Sequence, residues 1–527
     1  MPQTVLTGGL VIDGTGGPPR RADITVTHGR ITSIDPTPPE PGVNTLDVSG
    51  LTLCPGFVDI HSHSDLTLLS NPLAHSKIRQ GVTTEVVGNC GLGLAPMRSR
   101  TDRAALRQAN SYLDLDPAVD ITWTGVEEYL AVLEQHRPAV NVMTLTGHIP
   151  LRIGAMGLAD RPADPGEIGR QQELLAESFA AGSAGLSTGL VYPPTCYAGD
   201  EELLALGRTT AAHDRLFAWH VRDYADALIP SVRQAVAVAR ATGCRTQISH
   251  LTAVGRRNWG SVSRALQIID TANEQGCRIT LDIYPYLHGN APLAQLLPSW
   301  AQAGGAPAMA RQLTDPAVRA RVRASWLDRP TSWDEITVNW VPAGARAERF
   351  VGRDIAAIAE AEDRDPDVVA LDLLAALGPS VMMVAGGRSE ADLVAALDHP
   401  AAIVASDGQA LDPDGPTGGG SPHPRSYGCF PRYLARYAPA SDTGFAAAVR
   451  RCTSAPAAVA ALANRGVLRV GAAADIVCLD RGRLADRATM TQPQQYPSGV
   501  ELVMVNGVVA VAGGRHTAAR AGRVLRL

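Results

Sequence analysis

Two histidines one residue apart close an apolar run in Pro55-Gly56-Phe57-Val58-Asp59-Ile60-His61-Ser62-His63-Ser64-Asp65. Alternate residues of a strand point to the same face, so His61 and His63 project together. Imidazoles paired in this way form a half-site for a divalent metal. Further donors stand where other apolar runs end. His220 follows Leu216-Phe217-Ala218-Trp219, and His250 follows Thr246-Gln247-Ile248-Ser249. A lone histidine at a strand end is more often a hydrogen-bonded core residue than a ligand. Four such histidines, each closing a strand, point instead to a shared cation. Asp407 closes Ala402-Ile403-Val404-Ala405-Ser406 and precedes Gly408. A carboxylate there can both touch a metal and exchange protons. Cys90 sits in Glu85-Val86-Val87-Gly88-Asn89-Cys90-Gly91-Leu92-Gly93. Alone it reads as a buried inert thiol. Beside a histidine-rich rim it reads as a thiolate able to ligate or bridge zinc, its pKa depressed by the metal.

Donors so far apart in sequence meet only if their strands all end on one side. Candidate strands fall near 57–62, 82–88, 141–146, 184–188, 216–221, 245–249, 279–283 and 402–406, with helical patterns between most of them, as at 167–181, 200–213 and 226–241. Eight strand-then-helix units are what a parallel (β/α)8 barrel requires, and its catalytic groups collect at the carboxyl ends of the strands. The rhythm breaks over about 287–345, where Pro, Gly and Trp residues interrupt it, which predicts an insertion covering the barrel mouth. The apolar run Val381-Met382-Met383-Val384 is left over from the count of eight strands. Alternating stretches at 5–12 and 22–26 open the chain, and 475–479, 500–505 and 508–511 close it. Single strands at the two ends cannot bury their faces alone, so both ends are expected in one β-sandwich. The expected fold is therefore α/β: a TIM-type barrel over 56–465 with a small β-sandwich built from 1–55 and 466–527.

Composition narrows the partners. The chain has 527 residues, 45% hydrophobic and 19% charged, enough for a large core plus a satellite. Its net charge of −5, with no Lys/Arg cluster, argues against a nucleic-acid surface. The first residues lack a basic segment followed by an apolar one, and no apolar run is long enough to cross a bilayer, so no membrane partner is expected. Eight dispersed cysteines without a CxxC pair fit a reduced, cytoplasmic location. The sequence is compatible with a homo-oligomer and fixes no number of subunits.

The motifs VIDGTGGPPRRADITVTHGRITSI, PGFVDIHSHSD, GNCGLGLAPM, GLSTGLVYPP, HVRDY, QISH, NWG, DIYPY, SDG, HPRSYG and QYPSGVELVMVNG span nearly the whole chain. In this set the chain resembles the D-aminoacylases, the N-acyl-D-amino-acid deacylases of the amidohydrolase superfamily. Most amidohydrolases bridge their metals with a barrel lysine; a cysteine in GNCG marks this branch. The resemblance implies a zinc held tightly by Cys90, His220 and His250. It also implies a second, weaker position on His61 and His63, with Cys90 and Asp407 shared and Asp407 as catalytic acid/base. It further implies that Arg425 and Tyr284 hold the α-carboxylate of a small N-acyl-amino-acid substrate. A guanidinium fork suits a carboxylate. Read without the resemblance, Arg425 is a loop charge and Tyr284 the end of a strand. A preference for D over L comes from the resemblance alone.

Three departures bear on substrate choice and leave the metal ligands intact. Relatives often carry a lysine two residues after the histidine that matches His250, where this chain has Thr252. Asn290 stands where a serine is usual, and the loop from Asp407 to Arg425 is long, with Gly418-Gly419-Gly420 within it. Two other readings share the barrel. A cyclic-amide hydrolase of the dihydroorotase or hydantoinase type would favour a lysine over Cys90. An inactive metal-binding homologue has the complete donor set and Asp407 against it.

Overall fold

Eight short parallel strands form the centre of the computed structural model, which describes residues 3–527 apart from 36–41, 100–101, 112, 114 and 343. They are β1 (Phe57–Asp59), β2 (Val82–Val87), β3 (Asn141–Thr144, resuming at Thr146–Gly147), β4 (Gly185–Gly189), β5 (Leu216–His220), β6 (Arg245–Ile248), β7 (Ile279–Ile283) and β8 (Ala402–Val404). Neighbours pair in parallel register. The ring closes where Ser62 bridges Gly408 and the Asp407 N–H donates to the His61 carbonyl at 2.8 Å. The eight strands read from the sequence are all present. They are almost entirely buried because helices cover the outside of the ring, which is why each reads as a continuous apolar run. The helix Pro165–Ala180 shows the local logic: Pro165 opens it, and the Asp164 carboxylate accepts from the Glu167 N–H at 2.8 Å.

Strands from both chain ends share one nine-stranded sheet folded over its own core. The joint is the antiparallel pairing of Thr52–Pro55 with Ile476–Leu479, and Ile24, Leu53, Ile476 and Met504 meet inside. The sheet's last strand is Arg515–His516, so the expected span of 466–527 runs too far. Beyond it the chain crosses to the amino-terminal end of the barrel. There Val142 and Arg523 share a hydrogen bond of 2.9 Å, and Leu525 and Leu527 pack on the barrel's inner cluster. Packing there takes part of their apolar surface out of water.

The insertion is also longer than the expected 287–345. Its four-stranded antiparallel sheet runs from Gly289–Pro292 through Ile336–Trp340 and Arg353–Asp354 to Met382–Ala385, around a core containing Leu297, Trp326, Trp333 and Leu374. The unassigned run Val381-Met382-Met383-Val384 supplies one of its two inner strands. Helices between 347 and 377 imitate a barrel repeat, which hides this pairing from sequence patterning. Among the described residues, no helix is long and apolar enough to cross a membrane.

Candidate metal centre

At the carboxyl ends of the strands, four buried donors converge: His61, Cys90, His250 and Asp407 offer ligand atoms within 4.8 Å of one another. Cys90 Sγ lies 3.2 Å from His61 Nε2 and 3.5 Å from His250 Nε2, and Asp407 Oδ1 lies 3.4 Å from His61 Nε2. His63 stands outside this tight set and reaches it through Asp407 Oδ1, 2.9 Å from its Nε2. His220 also stands outside, its ring centroid 4.6 Å from that of His250. Both ring nitrogens of His220 are buried with no hydrogen-bond partner. His148, by contrast, is fully occupied by Thr188 and Glu202 and belongs to the packing.

The backbone is bent to bring the donors in. Cys90, His250 and Asp407 have φ of 57°, 34° and 50°, a left-handed conformation that non-glycine residues rarely adopt and that gathers at functional sites. The GNCG turn permits this because a Cβ at Gly88 would lie 2.2 Å from the Leu145 carbonyl oxygen, and one at Gly91 would lie 2.6 Å from the Gly189 nitrogen. Only glycine lets Cys90 pass so close to β3 and β4.

Beneath the donors lies a layer that sequence reasoning missed. Asp282 on β7 contacts His61 Nδ1 at 3.1 Å and accepts from the His250 N–H at 2.8 Å and from Gln247 at 2.6 Å. It thereby turns His61 Nε2 toward the cluster. Its place in DIYPY was the available signal. Asp282→Asn is expected to lower metal affinity by about 10- to 100-fold, measured by competition with a chromogenic chelator. Unchanged affinity would mean that His61 is oriented by something else. Deeper still, Lys77 Nζ meets Asp59 at 2.7 Å and Ser406 at 2.6 Å, while Glu85 accepts from Ser62 and from Ser64 at 2.6 Å. These bonds fix the two serines around His63 and the residue before Asp407. Lys77 is fully buried. Lys77→Met leaves two buried carboxyls without a counter-ion, at a cost of about 3–5 kcal/mol. A variant melting with the wild type would contradict this.

Burial drives the histidines toward the neutral form that binds metal: His220 is pulled down to about 3, His63 to about 4 and His250 well below its usual range. Burial likewise pushes the Cys90 thiol up to about 11. Asp407 behaves oppositely. Burial opposes its charge, but Arg425 and His61 outweigh burial and hold the carboxyl well below the usual range. His61 is pushed well up despite burial, by Asp282, Cys90 and Asp407 together. Imidazole, thiol and carboxylate donors, with an unpartnered His220 beside them, suit zinc.

Arg425 is 1% exposed, and its Nη1 sits 2.7 Å from Asp407 Oδ2. Its guanidinium carbon lies 4.7 Å from the centroid of the Tyr284 ring. The Tyr284 hydroxyl accepts from Arg388 Nη1 at 2.8 Å. Between the barrel mouth and the insertion lies a cavity of about 630 Å³, lined by His63, Cys90, His220, His250, Tyr284 and Asp407 on its floor. Thr252 and Asn290 also line it. The glycine loop is pinned at both flanks, Ser421 to Asn339 and Gln494 to Gly418, each at 2.8 Å.

A barrel whose strand ends gather these donors under one cavity is the architecture of a metal-dependent amidohydrolase, and the amidohydrolase family matches residues 44–243 and 371–511. N-acyl-D-glutamate deacylase of Alcaligenes xylosoxydans xylosoxydans is 35% identical over 527 residues, covering 99% of this chain and 96% of its own. Among solved structures, N-acyl-D-glutamate deacylase from Bordetella bronchiseptica, complexed with zinc and a phosphonate inhibitor, is 33% identical with a TM-score of 0.81 and 100% of each chain covered. A D-aminoacylase studied for its binuclear metal centre is 30% identical, with a TM-score of 0.82 and 99% of each chain covered. The chain belongs to the D-aminoacylase family of N-acyl-D-amino-acid deacylases.

Proposed function

We propose that this enzyme hydrolyses the amide bond of N-acyl-D-amino acids, releasing a carboxylate and a free D-amino acid, with zinc as its metal. The observation that carries this reading is the convergence of His61, Cys90, His250 and Asp407, the last three of them on the floor of one cavity. We assign the tighter zinc to Cys90, His220 and His250. A second, weaker position falls to His61 and His63, with Cys90 and Asp407 shared. The two unpartnered nitrogens of His220 and the soft Cys90 sulfur support the assignment. When bound, zinc supplies Lewis acidity toward a water and toward the amide carbonyl.

The protein's own groups do the rest. Asp407 takes a proton from the attacking water as the C–O bond forms. It returns that proton to the amide nitrogen as the C–N bond breaks, since an amide leaves poorly unless its nitrogen is protonated. Arg425 and His63 hold the two oxygens of Asp407 and so fix the carboxylate plane. A guanidinium carries five donors, so Arg425 can keep Asp407 and also take the substrate's α-carboxylate, with Tyr284 alongside. The D hand follows the relatives named above. All eight cysteines are unpaired, which fits a reducing cytoplasm. The test is a rate panel of N-acetyl-amino acids of both hands, with zinc content measured on the same sample. Release of D-amino acids by zinc-loaded protein is expected. Hydrolysis confined to L substrates or to cyclic ureides would contradict the reading.

A further inference from the structure

The cavity wall carries several charges, and nearly all are matched. Asp226 and Asp328 both pair with Arg257. Asp223 accepts from the N–H groups of Ala225 and Ala227. Arg222 donates to the Cys196 and Ala198 carbonyls and to Gln234. Arg329 stacks on Trp333 and lies 3.7 Å from Asp367. Arg388 differs. It lines the same cavity, half-buried, and no carboxylate pairs with it among the described residues. Its Nη1 binds the Tyr284 hydroxyl, and its Nε is buried with no hydrogen-bond partner. The guanidinium is nevertheless a built feature. It lies so close to the chain at Gly289 that a Cβ there would stand 2.1 Å from Nη2. A cation without a counter-ion in a partly desolvated pocket is a site for an anionic ligand group.

Position decides which group. Arg425 touches Asp407 directly, so a carboxylate on Arg425 lies beside the reacting amide, as an α-carboxylate must. Arg388 is held at the hydroxyl of Tyr284, its guanidinium carbon 5.5 Å from the ring centroid, and pairs with no carboxylate of the metal centre. An anion at Arg388 is therefore a second group, distinct from the α-carboxylate on Arg425. On the deacylase reading above, we propose that Arg388 determines specificity by binding a second carboxylate, on the amino-acid side chain. The enzyme then prefers N-acyl-D-amino acids with acidic side chains.

The experiment compares kcat/KM for N-acetyl-D-glutamate and N-acetyl-D-aspartate with that for their neutral amides, N-acetyl-D-glutamine and N-acetyl-D-asparagine. It uses zinc-loaded wild type, Arg388→Met and Arg388→Lys. The wild type is expected to favour acid over amide by about 100-fold, because the amide leaves a half-buried cation unmatched. In Arg388→Met that ratio collapses toward one, chiefly through KM for the acids, and Arg388→Lys restores part of it. A wild type indifferent to side-chain charge overturns the inference alone. So does an Arg388→Met that loses both classes equally, which would make Arg388 a positioning residue for Tyr284. No turnover of any N-acyl-D-amino acid overturns the deacylase reading, and this inference with it.

Discussion

Asp407→Asn is expected to lower kcat by about 10³- to 10⁴-fold, the upper range for loss of a proton-transfer group, while the protein keeps its zinc. Asparagine has nearly the same shape, but its amide cannot take the water proton or hand it to the departing nitrogen. The metal stays because Cys90, His220 and His250 are untouched. The variant also leaves Arg425, 1% exposed, facing a neutral partner. Its melting temperature should fall, and the rate has to be read well below that point. Steady-state rates and elemental analysis on one preparation decide the matter. An unchanged rate removes Asp407 from the proton transfer. Loss of rate and zinc together makes it chiefly a ligand.

Cys90→Ala acts on the metal itself. The sulfur sits between His61 and His250, so its removal takes away a donor that the proposed assignment gives to both metal positions. Zinc affinity is expected to fall by more than the about 10- to 100-fold that follows loss of a group that only orients a ligand. Activity should fall with it at ordinary zinc concentrations. Cys478→Ala is the control, because that thiol packs in the core of the nine-stranded sheet. Dialysis followed by elemental analysis separates them: Cys478→Ala retains zinc and Cys90→Ala loses it. Equal retention by both would take Cys90 out of the metal centre.

Much of the architecture was legible because barrel strands are local apolar runs with polar residues at their ends. His61, Cys90, His220, His250 and Asp407 could each be placed at a strand end without knowing which strands adjoin. What sequence could not show is tertiary. The strand Met382–Ala385 finds its partners at Gly289–Pro292 and Ile336–Trp340, across helices that resemble a barrel repeat. Leu525 and Leu527 leave the sheet and pack, half-buried, against the barrel floor, a contact with no local pattern in the sequence. Lys77 lies in a short helical segment with no pattern around it, yet it neutralises the carboxylates below the site. Arg388 follows two glycines in an unremarkable stretch, and only the folded insertion carries it over the cavity. The left-handed backbone at Cys90, His250 and Asp407 is likewise invisible to propensity, since side-chain chemistry rather than conformational ease selects those residues.

The most direct measurement is an anomalous difference map from crystals of the zinc-loaded protein, collected on either side of the zinc absorption edge. The strongest peak is expected at ligand distance, about 2.0–2.3 Å, from Cys90 Sγ and the nearest ring nitrogens of His220 and His250. A map with no peak among these residues, or with zinc elsewhere in an active crystal, would contradict the account.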